Sequence, residues 1–417
     1  MKNRIRHSFV IRHSPFVIVA ALSLTTTASA QWPQWRGPTR DGAVPAAAVP
    51  KWPEKWTRAW RVDVGEGYSS PVVSNGRVFV HSRRDPEEIV TAIDLGSGKV
   101  AWQQKYATPF NKNQYATSMS KGPYATPLVI GNTLVTIGGM AIVTAWNTTT
   151  GAQVWRKDYS ASVDTSKLFT GTAASPLSEG GSVIVQVGSD LHGGKIVALN
   201  PQTGVEKWTW TGKGPGYASP VAITASGQRL IVTMTEGSIE GLDAATGAAL
   251  WSVPFPDDWH ENIVTPVWTG TSLIVSGTRQ GTHAFTISKQ GGRWNASEIW
   301  KNGDVAMYMS TPVLADGVLY GLSARKKGQI VALDAATGAV KWMTEGRAAD
   351  QAAILLTPAH VLVQTAGGEL VLFERSAAAY KEVKRYPLAD SATWAVPAVL
   401  ADALIVRDAT SLMKLMP

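Results

Sequence analysis

The chain has 417 residues, 44% of them hydrophobic and 17% charged, with no cysteine and a formal net charge of +8. That apolar content can fill a large core, and the missing cysteine excludes disulfides, thiolate metal sites and cysteine-type haem attachment. The mild basic excess lacks the clustering of a dedicated nucleic-acid binder.

Lys2, Arg4, Arg6 and Arg12 precede an apolar run from Phe16 to Leu24, and Ala28-Ser29-Ala30 offers a small-residue cleavage site. This predicts a secretory signal peptide over residues 1–30, too short in its apolar core to span a membrane. Cleavage leaves Gln31 as the first mature residue and lowers the formal charge from +8 to +4. A periplasmic or secreted protein follows, with no membrane span after cleavage and, without cysteine, no lipid attachment. Residues 31–55 are rich in Pro and Trp and carry neither strand nor helix period. They are expected to form an extended arm whose Trp32 and Trp35 cover apolar surface, and deleting residues 31–50 is expected to cost little.

From residue 56 onward the chain repeats. The clearest unit is Ile330 to Trp342, IVALDAATGAVKW. Its apolar start suits a buried strand and Val340 to Trp342 an antiparallel neighbour. Between them Asp334 and Thr337 can accept nearby backbone N–H groups, and Gly338 can take positive φ. The same spacing recurs at Ala92–Trp102, Ala145–Trp155, Ala198–Trp208 and Gly241–Trp251, and in degenerate form over residues 284–300, ending in Trp300. A second marker, a step into Pro that opens an apolar strand, stands at Pro71, Pro127, Pro176, Pro220, Pro266, Pro312 and Pro397. Pro is tolerated at a strand's first residue. One further unit without Pro begins near Ala352, which makes eight. The spacing predicts an all-β protein, an eight-bladed β-propeller of four-stranded antiparallel blades over residues 56–417. The last unit has room for three strands, so Trp56 to Val64 is expected to close the ring, with Trp60 as its anchor.

These A-x-D-x-x-T-G-x-x-x-W units resemble the tryptophan-docking repeat of the pyrroloquinoline-quinone-like, quinoprotein-type propellers, and the opening WPQWRGPTRDG resembles the start of exported members. The resemblance implies that Trp102, Trp155, Trp208, Trp251 and Trp342 stack on the neighbouring blade; repeat spacing adds Trp60 and Trp300. The family contains calcium- and quinone-dependent dehydrogenases and also non-enzymatic members, such as the propeller lipoprotein of the outer-membrane β-barrel assembly machinery. This chain lacks that lipoprotein's anchoring cysteine, and it also lacks the adjacent cysteines of many quinoprotein alcohol dehydrogenases. Fold alone does not choose between these activities.

In a propeller, the residues before each inner strand converge on the funnel. Here they include Tyr68, Tyr124, Tyr217, His260, Glu261, Asn262, Tyr308, Asp350, Gln351 and Trp394, a set with the aromatic and polar character of a ligand pocket. The rim of that face is expected to receive Arg83, Arg84, Lys112, Lys121, Arg279, Arg325, Lys326 and Lys327, as solvated loop charge or as an anion-favouring patch. The five histidines beyond the signal lack metal-ligand spacing, and neither a nucleophile elbow nor a phosphate loop occurs.

The favoured expectation is a non-catalytic exported binding or scaffolding module, monomeric and without cofactor or metal, that holds a protein partner or small ligand at the funnel. One alternative is a dehydrogenase with pyrroloquinoline quinone and Ca²⁺, in which Glu261 and Asn262 supply metal oxygens and Asp350 a base. The other is a glycan or anionic-polymer binder.

Overall fold

The Asp-x-x-Thr-Gly turn folds as its side chains dictate. Asp334 Oδ1 accepts the N–H of Ala336 and of Thr337, both at 3.0 Å, and the Thr337 hydroxyl at 3.1 Å. Gly338 then takes φ +73°. A side chain there would collide with more than its own backbone: a Cβ on Gly338 would stand 2.4 Å from the Trp300 ring of the preceding blade. The glycine is therefore required both by the turn and by its neighbour.

The computed structural model describes Met1 and residues 31–417, apart from 112, 114, 117–119, 165–169, 190 and 191. The expected signal peptide and Lys112 lie outside the described residues. Eight four-stranded antiparallel sheets form the ring, each numbered here by its inner strand in chain order. Blade 6 is representative, with strands Val313–Ala315, Val318–Ser323, Gln329–Asp334 and Val340–Met343. Ala332 lies opposite Trp342, and a bulge follows at Leu333. The second and third strands of the blades are buried on both faces, and it is there that the apolar runs fall. Blade 8 takes its outer strand, Thr57–Asp63, from the start of the domain, paired from Thr57 opposite Met416 to Asp63 opposite Ser411. Joining the ends in this way leaves no unpaired edge between the first and last blades.

The Trp side chains tie the blades together. Each indole Nε1 donates to a carbonyl in the next blade's turn: Trp60 to Leu95, Trp102 to Thr148, Trp155 to Pro201, Trp208 to Ala244, Trp300 to Ala335 and Trp342 to Ser376, at 2.9–3.2 Å. Trp251 departs from the pattern. Blade 5 replaces the short turn with two ten-residue strands, Gly281–Gln290 and Arg293–Asn302, and so presents no Asp-x-x-Thr-Gly turn. The Trp251 indole N–H has no hydrogen-bond partner among the described residues. Its ring instead lies where a Cβ on Gly241, its own cross-strand neighbour, would stand. Blade 7 departs for a related reason. The register puts Lys384 at the Trp position, because in blade 8 the covalent turn is replaced by the junction between the chain ends. The arm covers that gap. Trp56 packs edge-on against Tyr386 at 5.9 Å, the Tyr386 hydroxyl donates to the Pro53 carbonyl at 2.7 Å, and Lys384 pairs with Glu54.

The arm is bonded to the ring more extensively than a cover for apolar surface requires. Trp32 is fully buried and bridges to Val73 in blade 1, while the Pro33 carbonyl accepts the N–H of Val129 in blade 2. Arg40 donates to the carbonyls of Ser175, Pro176 and Pro220 in blades 3 and 4, at 2.7, 2.8 and 3.1 Å. Arg36 donates to that of Pro312 in blade 6 at 2.7 Å, and Leu356 of blade 7 exchanges hydrogen bonds with Gly42 and Val44. A segment bonded to inner strands on opposite sides of the ring occupies its axis.

Candidate functional site

The Pro steps that open the inner strands do more than start them. The residue before each Pro donates its N–H to the hydroxyl of its counterpart one blade on: Ser70 to Thr126, Thr126 to Ser175, Ser175 to Ser219, Ser219 to Thr265 and Thr265 to Thr311, at 2.9–3.2 Å. The Val396 N–H returns to Ser70 Oγ at 2.8 Å. Blade 7 has Ala353 at this register and breaks the belt. These buried hydroxyls satisfy backbone donors that the sheets leave unpaired at the axis.

Above the belt lies a cavity of about 170 Å³, lined by Tyr68, Tyr124, Tyr217, Glu261 and Trp394 from the loops, by Met309 and Ile263, and by Trp35 from the arm. Five of the ten funnel residues named from sequence thus meet there. The Tyr68 ring stacks on Trp394 and meets Tyr124 edge-on, each at 5.3 Å between centroids. The Tyr124 hydroxyl is held by the Ser120 carbonyl at 2.9 Å. Tyr308 stands just behind, its hydroxyl donating to Glu261 at 2.7 Å.

The other four residues lie elsewhere. Asn262 is 1% exposed and acts as a strut. Its side-chain amide nitrogen donates to the Thr235 and Phe255 carbonyls, while its backbone carbonyl receives the N–H groups of Tyr217 and Ala218. Both donors of the amide are thus committed and the backbone carbonyl helps to place Tyr217, while the side-chain Oδ1 is buried without a hydrogen-bond partner among the described residues. His260 Nδ1 pairs with the buried Glu236 at 2.5 Å. Asp350 is exposed and ion-paired with Arg347, and with Gln351 it lines a separate depression that shares only Trp394 with the cavity.

The rim also differs from its sequence expectation. Arg83 is fully buried, not a surface cation: Nε donates to Asp85 and Nη2 to the Thr108 carbonyl, both at 2.7 Å. It lies near the end of the strand Arg77–Arg84, where the Thr108 carbonyl and the Phe110 ring pack against its guanidinium. Arg84 pairs with Asp63, Arg279 with Asp258 and Lys121 with Asp85, so these loop charges are largely neutralised. Arg325 spends its fork on the carbonyls of Thr278, Gly303 and Arg279. Lys326 and Lys327 flank a shallow depression beside Arg347.

Among the described residues the cavity wall carries one ionisable carboxylate and no Lys or Arg. Burial raises the Glu261 pKa above the usual carboxylate value, and Asp257 adds to the shift while the Tyr308 hydrogen bond opposes it. Beneath, the Arg36 and Arg40 guanidiniums lie against the Trp35 ring at 5.4 and 5.5 Å. Burial pulls Arg36 down to about 10 and Arg40, which also faces Arg36, down to about 9, so both stay charged at neutral pH. Among the described residues no group of three or more His, Cys, Asp or Glu could hold a metal ion.

Sequence reasoning missed Trp35 as a cavity residue, since an arm without periodicity carries no address. It also missed the hydroxyl belt, although Ser or Thr before Pro was visible at six positions.

The family model described as outer membrane protein assembly factor BamB matches residues 54–111, 86–344 and 297–412. The outer membrane protein assembly factor BamB of Yersinia pestis is 26% identical over 229 residues, covering 52% of this chain and 55% of the relative. That of Burkholderia pseudomallei is 29% identical over 143 residues, covering 34% of each. The chain therefore spans about half the length, or less, of these curated relatives. Among solved structures, BamB from Moraxella catarrhalis superposes with a TM-score of 0.61 at 17% identity, covering 87% of this chain and 100% of that one. Quinohemoprotein alcohol dehydrogenase from Comamonas testosteroni gives 0.66 at 14%, covering 93% and 80%. A europium-containing methanol dehydrogenase gives 0.67 at 13%, covering 92% and 90%. At these identities the structural likenesses establish the propeller fold alone. The family match runs across all eight blades, and the chain belongs to the outer membrane protein assembly factor BamB family of quinoprotein-like propellers.

Proposed function

We propose that the protein is a non-catalytic scaffold of the periplasm that holds a protein partner at its funnel face. The relatives are named as assembly factors, which supports a role in holding other proteins. The observation that carries the reading is the cavity: the chain's own arm occupies the axis beneath it, leaving a shallow aromatic cup about the size of one side chain. Such a cup suits an anchoring residue of a protein surface, where a few aromatic contacts dominate binding.

A quinone cofactor fits these residues poorly. Pyrroloquinoline quinone is a polycarboxylate and needs cationic or N–H donors, whereas among the described residues the wall presents Glu261 and no Lys or Arg. Ca²⁺ takes six to eight oxygen ligands, usually including several carboxylates, and Glu261 stands without a second one on the wall. The anionic-polymer alternative loses support from the paired rim cations.

Cross-linking in envelope extract tests the scaffold reading with three proteins: wild type, Tyr217→Ala/Trp394→Ala, and a control, Val205→Ser, on an exposed outer edge. The same defined partner should be captured by wild type and control and lost with the double variant, with all three melting alike. Capture undiminished by the double variant refutes the assignment to the funnel. Alcohol-dependent dye reduction on adding quinone and Ca²⁺ refutes the non-catalytic reading.

A further inference from the structure

The cavity combines three features that point to one ligand chemistry. Its wall is aromatic on several sides, from Tyr68, Tyr124, Tyr217 and Trp394. Its wall carries a single carboxylate, Glu261, half-buried and steadied by the Tyr308 hydroxyl. Its volume, about 170 Å³, is close to the roughly 150 Å³ of an engineered protein cavity that holds one benzene.

Each feature excludes something. Aromatic faces carry negative potential and attract cations, and rings grouped around a small space are the arrangement that recognises ammonium head groups. An anion would meet Glu261 with no wall cation among the described residues to offset it. A neutral apolar group would strip water from Glu261 without replacing its interactions, which is costly. The size excludes a polycyclic ligand but admits an ammonium with its adjoining methylenes.

The positive charges nearby need an account. Arg36 and Arg40 lie below, where their donors are engaged by the carbonyls of Pro312, Ser175, Pro176 and Pro220, and both guanidiniums sit against Trp35. Trp35 is thereby already committed to cations of the chain itself. Arg407, behind Tyr68, donates to the carbonyls of Ser69 and His81. These fixed charges make the floor unfavourable to a second cation, so the ammonium must sit high in the cup, between Glu261 and the Tyr217, Tyr124 and Trp394 rings.

We infer that the funnel cavity is a receptor for one alkylammonium head group and, resting on the scaffold reading above, that a lysine of the protein partner supplies it. The probes are Nα-acetyl-lysine amide and Nα-acetyl-norleucine amide, which lacks only the ammonium, with choline and its neutral isostere 3,3-dimethylbutan-1-ol as a second pair, titrated into the full chain by NMR or calorimetry. The lysine amide should bind at least about tenfold more tightly than the norleucine amide. Glu261→Gln, which keeps the shape and the Tyr308 contact, should bring that ratio close to one, and Trp394→Leu should lower it several-fold. The ratio is the decisive readout, since a merely structural change weakens both members of a pair alike.

Equal binding of the lysine and norleucine amides, or no saturable binding of either, overturns the inference. Selectivity for choline without selectivity for the lysine amide overturns the lysine assignment. If Tyr217→Ala/Trp394→Ala loses the captured partner while the ratio is one in wild type, this inference falls and the scaffold reading stands. If the ratio is high but the partner survives the double variant, the receptor stands and the scaffold assignment to the funnel falls.

Discussion

Arg40→Met is the most direct test of whether the arm belongs to the ring. The substitution keeps much of the aliphatic stem and removes the guanidinium that bridges blades 3 and 4 through the carbonyls of Ser175, Pro176 and Pro220. Each buried acceptor left without a donor costs about 1–3 kcal/mol, or roughly 3–9 kcal/mol for three. Removing a buried charge that has no carboxylate bonded to it offsets part of this, so the lower bound, about 3 kcal/mol, is the expected loss. Unfolding entropy of about 2.1 cal/mol/K per residue over roughly 360 ring residues gives about 0.8 kcal/mol/K, and hence a Tm about 4 °C lower. Arg40→Lys keeps the charge but not the planar fork, and should recover less than half of the loss. Calorimetric melts of the three proteins decide it. A Tm for Arg40→Met within about 1 °C of wild type would show that the arm rests on the ring without holding it; full recovery by Lys would show that charge rather than fork geometry matters.

Trp60→Ala should cost about 3–5 kcal/mol and promote aggregation by weakening the strand that covers the edge of Ser411–Met416; light scattering during the melt would show it, and an unchanged melt would mean that closure does not depend on this anchor. Deletion of residues 31–50, which removes Trp32, Arg36 and Arg40, should lower the Tm by at least as much as Arg40→Met, and a wild-type melt would contradict the axial packing. Gly241→Ala places a Cβ 2.0 Å from the Trp251 ring and should destabilise by about 1–3 kcal/mol, with altered Trp fluorescence, although Ala stands at the same register in blades 1, 2, 3, 5 and 6. The turn carboxylates Asp94 and Asp334 are held below their ordinary value of 3.8, Asp94 chiefly by the Ser97 hydroxyl and Asp334 chiefly by Lys341. Their contribution is present above that value and lost as pH falls through the lower native one. Asn147 and Asn200 cap the equivalent turns of blades 2 and 3, so Asp94→Asn/Asp334→Asn should flatten the acid limb of the stability curve while leaving the fold intact; an unchanged acid limb would place the sensitivity elsewhere.

The blade count and the turns were legible in the sequence because each depends on neighbours a few residues apart, and the closing strand because the last unit is one strand short. An Asp or Asn that accepts N–H groups two and three residues on, a Gly that must take positive φ, and a Trp at a constant offset leave the same imprint wherever the hairpin occurs. Tyr68, Tyr124, Tyr217, Glu261 and Trp394 were legible for a related reason: repeat topology delivers the residue before each inner strand to the axis.

Tertiary structure decided what repeats do not encode. Asn262 and Glu261 are adjacent in sequence, yet the first is consumed as a strut and the second faces the cavity, because alternate side chains of an irregular loop point to different surroundings. Arg83 and Arg84 are likewise adjacent, yet alternation along the strand turns the first inward to Thr108 and Phe110 and the second outward to an ion pair with Asp63. Trp251 carries the repeat signature but lacks a dock, since its partner turn belongs to the one blade with a lengthened hairpin. The arm is the clearest case. Nothing within residues 31–55 specifies an axial position; that follows only once the ring exists and offers, around one small space, inner-strand carbonyls from blades 3, 4 and 6 to the fixed forks of Arg36 and Arg40.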